Sequence, residues 1–196
     1  HAGLVGGLPF REEGFRRVQD APARAVPIFI TPEHPDHLQG IAVHDPPEAL
    51  AGRLRLTAEQ LANRERLDQV NLPDVLRETE PLVYETYHAV APGVVLVKAA
   101  GHTPGSQLLY VRTQDGRERL FIGDVAWHMD AIRELHYRPR LVTDFYLGED
   151  RRAVLHQFRA LHDLRESHPE IRIVVSHDAE QWVRLLESGA LVDGFR

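Results

Sequence analysis

Four short segments rich in histidine and aspartate follow apolar stretches of this chain. They constrain its fold more than any other feature of the sequence. The segments cover residues 31–37 (TPEHPDH), 101–106 (GHTPGS), 122–124 (IGD) and 176–178 (SHD). The apolar stretches before them are short and rich in β-branched residues, which predicts strands. Functional side chains are commonly presented where a connecting segment leaves a rigid scaffold. Four such segments therefore indicate a site rather than scattered polar loops.

The rest of the sequence mixes strands and helices without strict alternation, which predicts a layered α/β or α+β fold. The length of 196 residues fits a single domain over 1–196. Thr57, with Gln60 three residues later, predicts a capped helix start. Predicted strands cover 25–31, 93–99, 107–113, 120–122 and 171–176; predicted helices cover 10–20, 56–70, 73–77, 151–167 and 179–188; and 32–40 is predicted as a polar loop.

Composition narrows the chemistry. The chain has 12 histidines and no cysteine, which excludes disulfides, cysteine-ligated metals and cysteine nucleophiles. Histidine and aspartate suit zinc, manganese or iron. A net charge of −6 argues against a nucleic-acid partner, so we expect a small-molecule substrate. The sequence shows neither an apolar run of membrane-spanning length nor a secretory signal, so we expect no membrane partner and a cytoplasmic location.

The four segments resemble the metal-ligand motifs of the metallo-β-lactamase-fold hydrolases. That family has Thr-His-x-His-x-Asp-His, then Gly-His-Thr-Pro-Gly-Ser, then Gly-Asp, then Ser-His. The match runs from about residue 25 to residue 177, and its most specific part is the GHTPGS segment. The resemblance implies a four-layer αββα sandwich with the site at one edge of two sheets. Family members place several strands before the first motif, so the expected domain lacks its first strands.

The resemblance also implies two divalent metal ions, zinc first, with iron or manganese as alternatives. His34 and His102 would hold one ion. Asp36, His37 and His177 would hold the other, with Asp124 bridging both. Asp36 could instead deliver a proton to the leaving group, so Asp36 and Asp124 are the expected catalytic residues.

Pro32 departs from the motif, because the first histidine of the family falls on this position and proline cannot ligate a metal. His34, His102 and Asp124 would then leave one ion with three protein ligands, as in many catalytic zinc sites. A second register stays open. In it, His1 is the last histidine of the motif and residues 34–37 form a solvated loop.

The implied activity is hydrolysis of an ester, thioester, lactone or similar bond by a metal-bound hydroxide. Three alternatives remain: an iron-dependent sulfur dioxygenase on the same scaffold, a phosphodiesterase, and a degenerate metal-poor protein without activity. In the similar acyl-homoserine lactonases a tyrosine three residues after the bridging aspartate binds the substrate carbonyl. Trp127 stands at that spacing and does not support lactonase activity.

Several other polar side chains have two readings each. Thr103, Ser106 and Asp178 could orient ligand imidazoles or only cap turns and helices. Tyr84, Tyr87 and His88 could form a flap or pack internally. We expect surface positions for the remaining residues of this kind: His44, His128, Asp130, His136, His156, His162, His168 and the arginines at 138 and 140.

Overall fold

The structure, a computed structural model, describes residues 11–192. A 3₁₀ turn covers Pro47–Ala49 and a π-helical turn covers Leu141–Leu147. The helices are α1 (Glu12–Arg24), α2 (Pro35–Ala42), α3 (Ala58–Ala62), α4 (Arg64–Gln69), α5 (Asp74–Arg77), α6 (Met129–Arg133), α7 (Arg151–Ser167) and α8 (Ala179–Glu187). The strands are β1 (Ile28–Phe29), β2 (Leu54–Arg55), β3 (Tyr87–Ala91), β4 (Val94–Lys98), β5 (Gln107–Arg112), β6 (Glu118–Phe121) and β7 (Ile171–Val174).

Five of these strands form one sheet in the order β3-β4-β5-β6-β7. Neighbours are antiparallel except β6 and β7, which run parallel. The β5–β6 hairpin turns at Asp115–Gly116, where Gly116 has φ +81, a conformation that glycine adopts without strain. β1 and β2 form a separate parallel pair. In the large sheet, β4, β6 and β7 all end at the edge where the predicted segments begin.

Two hydrophobic clusters lie on different sides of these sheets. In the first, α6 and α7 pack on the large sheet, with Phe158 only 1% exposed. In the second, α2, α4 and α5 pack around the short β1–β2 pair, with Leu38 and Leu76 fully buried. Helices, large sheet, small sheet and helices follow one another in the predicted αββα order.

The structure confirms most predicted elements. The helix predicted over 151–167 has those bounds, and Thr57 and Gln60 form the predicted capping box. Other predictions were wrong. The segment 32–40 is not a loop, because α2 starts at Pro35 and runs through most of it. The helix predicted over 56–70 is two helices that meet at Asn63. Strand β3 and helix α6 were not predicted.

Residues 1–10 and 193–196 lie outside the described part of the chain. The alternative register places its histidine at His1, which lies outside it as well. The solvated loop that this register expects over 34–37 is wrong, because α2 starts at Pro35 and His34 is only 8% exposed. The extent of the domain over 1–196 stays a prediction.

Candidate metal centre

The four strand-end segments meet at one edge of the large sheet. All six of the predicted ligand side chains come together there, in two groups that share Asp124. The inner group is His34, His102 and Asp124, and the outer group is Asp36, His37, Asp124 and His177. Within each group the possible ligand atoms all lie within 4.8 Å of one another.

Asp124 lies at the centre of both groups and is 4% exposed. Its Oδ2 is 3.2 Å from His37 Nε2 and 3.5 Å from His102 Nε2, and its Oδ1 is 3.3 Å from His177 Nε2. His34 completes the inner group, since its Nδ1 is 3.1 Å from His102 Nε2. One carboxylate therefore faces imidazoles from both groups.

The N-terminus of α2 sets the spacing of the first segment. His34 has extended backbone and caps the helix, and Pro35 occupies its first turn, where a missing N–H costs nothing. Asp36 and His37 therefore lie on the first helical turn, and His34 precedes it. Asp36 Oδ2 is 3.7 Å from both His37 Nε2 and His177 Nε2, and its side chain is 55% exposed. Asp36 is thus the acidic group of the centre that reaches solvent.

Glu33, which sequence reasoning missed, joins the first segment to the second. It is fully buried, and its carboxylate accepts hydrogen bonds from Thr103 Oγ1 at 2.5 Å and from the Gly105 backbone N–H at 3.2 Å. Gln60 adds a second connection by donating from Nε2 to the carbonyls of Ile30 and Gly105, both at 2.9 Å. Two loops that carry ligands are therefore held together through buried polar side chains.

A second missed group lies behind His102. Glu149 Oε1 is 2.5 Å from His102 Nδ1, and its side chain is fully buried. Tyr137 and Arg138 also hydrogen-bond to the Glu149 carboxylate. The prediction of a solvated Arg138 was wrong, because this side chain is only 9% exposed and stacks on Trp127 at 4.7 Å. No local motif marks these residues, since Glu149 and His102 are 47 positions apart.

The pKa values follow from this packing. Burial, together with the neighbouring His102, lowers the pKa of His34 to about 4, so its imidazole is neutral at pH 7. Burial also opposes ionisation of Asp124. Close contacts with the imidazoles of His102, His177 and His37 outweigh that effect and hold the Asp124 pKa well below its usual range. The centre thus offers a neutral imidazole and an anionic carboxylate, the forms that bind cations.

These residues fit a divalent cation. Nitrogen and oxygen ligands of this kind are those of zinc, manganese and iron sites. Asp124 Oδ1 is buried and accepts no hydrogen bond within residues 11–192, although His177 Nε2 lies nearby. A buried carboxylate oxygen without a hydrogen-bond partner costs free energy, and a bound cation would offset that cost.

The other predicted polar residues have structural roles. Thr103 and Ser106 hydrogen-bond to each other, and Thr103 to Glu33, rather than to an imidazole. Asp178 caps α8 by accepting from the Gln181 N–H at 2.8 Å. Tyr84 donates to Gln107 Oε1 at 2.7 Å and so packs against the sheet.

Two histidines that were predicted at the surface are buried or half-buried. His44 is only 9% exposed and its Nδ1 lies 3.0 Å from Gln19 Oε1. His162 is half-buried, with Nδ1 3.1 Å from the Ile132 carbonyl. The remaining predicted surface positions are confirmed as exposed: His128, Asp130, His136, His156, His168 and Arg140.

Comparison with solved structures gives several matches that have similar TM-scores and low sequence identity. A variant of B. thuringiensis AiiA, with N-decanoyl-L-homoserine bound at its active site, matches with a TM-score of 0.60 and 18% identity over 83% of this chain. A quorum-quenching N-acyl homoserine lactone hydrolase matches with a TM-score of 0.62 and 20% identity over 85% of this chain. A probable metal-dependent hydrolase from Staphylococcus aureus matches with a TM-score of 0.60 and 15% identity over 80% of this chain.

These similarities establish the metallo-β-lactamase fold for this chain. The chain spans 60%, 63% and 56% of the three matched chains, in the order given above. No family model and no curated protein matches the sequence.

Within residues 11–192, none of the helices combines the length and the apolar character that a bilayer crossing requires. The cytoplasmic location stays a prediction from the sequence.

Proposed function

We propose that this chain is a metal-dependent hydrolase that cleaves an ester, thioester, lactone or similar bond of a small molecule. The observation that carries the proposal is the pair of ligand groups sharing Asp124, each with its ligand atoms within 4.8 Å of one another. The matched solved structures include lactone hydrolases and a probable metal-dependent hydrolase, which supports the same reaction class.

We propose two divalent cations, zinc first and manganese or iron as alternatives. His34, His102 and Asp124 would hold one, and Asp36, His37, Asp124 and His177 the other. Support for two comes from a matched structure described as a dizinc quorum-quenching lactonase, with a TM-score of 0.56 and 16% identity. Divalent cations bound here would lower the pKa of a water molecule and polarise an oxygen of the substrate.

The side chains of this chain would divide the remaining work. Asp124 would hold the two groups at a fixed separation because it lies between them and is buried. Asp36, the acidic group that reaches solvent, would deliver a proton to the leaving group. The His177 side chain, 43% exposed, borders the open side of the centre, where a small molecule can approach.

The first experiment is metal analysis of the chain purified without chelator or added metal. We expect close to two equivalents of zinc or manganese per chain. A metal content near zero, with no uptake of added Zn²⁺, Mn²⁺ or Fe²⁺, would refute the proposal and favour a degenerate protein without activity.

The second experiment measures hydrolysis with a panel of an aryl ester, a γ-lactone, a thioester and an aryl phosphodiester. We expect turnover of at least one carbonyl substrate, lost after dialysis against a chelator and restored by metal. Turnover of the phosphodiester alone would replace this proposal by a phosphodiesterase. Bound iron with oxygen uptake in the presence of a persulfide, and no hydrolysis, would replace it by a sulfur dioxygenase.

A further inference from the structure

His102 differs from the other three histidines of the centre in what its second ring nitrogen contacts. Within the described residues, it alone has a carboxylate on the nitrogen that faces away from Asp124. That contact is the 2.5 Å approach of Glu149 Oε1 to Nδ1. The corresponding nitrogen of His37 is 3.4 Å from the Thr31 hydroxyl. Metal-binding histidines are commonly oriented by a carboxylate in this position.

Glu149 is itself held from three directions. Tyr137 donates to one carboxylate oxygen, and Arg138 donates to the oxygen that also faces His102. The backbone N–H of Glu149 donates to the Thr143 carbonyl at 3.0 Å. The next residue, Asp150, donates to the carbonyl of Gly101, the neighbour of His102, at 2.8 Å. The carboxylate is therefore fixed relative to the backbone that carries His102.

Arg138 extends this arrangement to the shared ligand. Its Nη2 donates to the carbonyls of Asp124 and Val125, at 3.1 and 3.3 Å. Its Nε and Nη1 are buried and have no acceptor among residues 11–192. Burying an arginine–glutamate pair gains little stability over apolar packing, and the unsatisfied N–H groups add a cost. Stability alone therefore does not account for the pair.

We propose that Glu149 is a positioning residue for the inner ligand group and that Arg138 and Tyr137 hold it in place. Glu149 accepts the Nδ1 proton of His102, which leaves Nε2 free to bind a cation beside His34 and Asp124. This inference rests on the proposed metal-binding function and adds residues to it that no motif of the sequence contains.

The test is a two-step Zn²⁺ titration of metal-free protein against a chromophoric chelator. Glu149→Leu keeps the volume and removes the acceptor, so one of the two affinities should fall by about 10–100-fold while the other is unchanged. Glu149→Gln keeps an acceptor oxygen and should recover most of the lost affinity. Two affinities equal to those of the wild type in Glu149→Leu would overturn the proposal.

A destabilised control separates positioning from stability. Leu161 is 4% exposed and lies in the hydrophobic cluster between the large sheet and α6 and α7, against which Tyr137 also packs. Leu161→Ala opens a cavity in this cluster without touching the centre. It should lower the melting temperature by as much as Glu149→Leu or more, yet leave both Zn²⁺ affinities unchanged. If Leu161→Ala weakens the same single affinity as Glu149→Leu does, Glu149 acts only through stability and the proposal is wrong.

A spectroscopic readout does not depend on turnover. In the zinc-loaded protein the Nδ1 proton of His102 should give a slowly exchanging downfield NMR signal, because it is buried and bonded to a carboxylate. The signal should vanish in Glu149→Leu and persist, shifted, in Glu149→Gln. If Glu149→Leu does not fold, Tyr137→Phe serves in its place, with a smaller selective loss expected at the same affinity.

The outcomes also separate this proposal from the proposed function. A wild-type chain that binds two Zn²⁺ ions, loses one selectively in Glu149→Leu and hydrolyses nothing would refute the hydrolase and support the positioning role. Metal-dependent hydrolysis by the wild type, with both metal affinities unchanged in Glu149→Leu, would support the hydrolase and refute the positioning role.

Discussion

The two ligand groups share Asp124 but have opposite surroundings. The inner group is buried: His34 is 8% exposed and His102 2%. The outer group opens to solvent through the side chains of Asp36 and His177, which are 55% and 43% exposed. The inner group has three side chains and a buried network behind it, whereas the outer group has four side chains and no such network in the described residues.

This difference indicates two ways of building a cation site. In the inner group, Pro32 stands where the family motif has a histidine, and orientation by Glu149 accompanies the smaller ligand number. In the outer group, a larger ligand number accompanies exposure to solvent. We therefore expect a cation in the inner group to exchange slowly and one in the outer group to exchange quickly with solution.

The largest expected effect comes from the residue that the groups share. Asp124→Ala removes a ligand from both and leaves imidazoles facing each other, so both metal equivalents and all hydrolysis should be lost. Metal content after equilibrium dialysis measures this. Asp115→Ala, at an exposed carboxylate in the β5–β6 turn, is the matched control and should keep both equivalents. Retention of one equivalent in Asp124→Ala would show that the groups are independent.

His102→Ala separates the two groups. It removes one of three inner side chains and none of the outer ones. One affinity should therefore weaken by more than the roughly 100-fold typical of losing a residue that only hydrogen-bonds to a metal ligand. The other should change little, and hydrolysis should be lost. Chelator competition measures both affinities. An unchanged metal content in His102→Ala would mean that the inner group is not a cation site.

Pro32→His should narrow the difference between the groups. It adds an imidazole two residues before His34, in a buried position. The affinity of the inner group for a cation should rise by at least about 10-fold, the low end of the effect of a residue that hydrogen-bonds to a metal ligand. Pro32→Ala removes the ring without adding a ligand and is the control. If Pro32→His leaves the affinity unchanged, position 32 is not the missing ligand.

The smallest effect is expected from replacing a histidine that lies outside both ligand groups. His156 lies exposed on α7, away from both groups. His156→Ala should leave metal content, both affinities and hydrolysis within error of the wild type. A lost equivalent in this variant would point to a cation site on the protein surface and would weaken the two-group description.

Local sequence signals predict most of the elements and the segments that carry the six side chains that the structure brings together. Each side chain follows a short apolar strand or lies in the GHTPGS segment, and the resemblance to the metallo-β-lactamase-fold motifs indicated which of these polar residues would bind metal. The N-terminus of α2 was missed although its signal was present, since Pro35 and Asp36 are residues typical of a first helical turn.

The surroundings of the centre could not be predicted in the same way. Glu33 meets Thr103 and Gly105 across 70 and 72 positions, and Glu149 meets His102 across 47. A single buried carboxylate gives no periodic pattern, and its partners become neighbours only after the sheet has formed. Arg138 was predicted at the surface for this reason, because charged residues are mostly exposed unless paired.

Gly105 has a consequence for any attempt to diversify this chain. A Cβ at this position would lie 2.2 Å from Gln60 Cγ and 2.8 Å from Glu33 Oε2, although the three residues are far apart in sequence. A side chain at position 105 therefore requires simultaneous changes at positions 33 and 60. A mutant library that randomises Gly105 alone should yield almost only glycine among folded clones. A library that also shortens Gln60 and Glu33 should recover alanine or serine there.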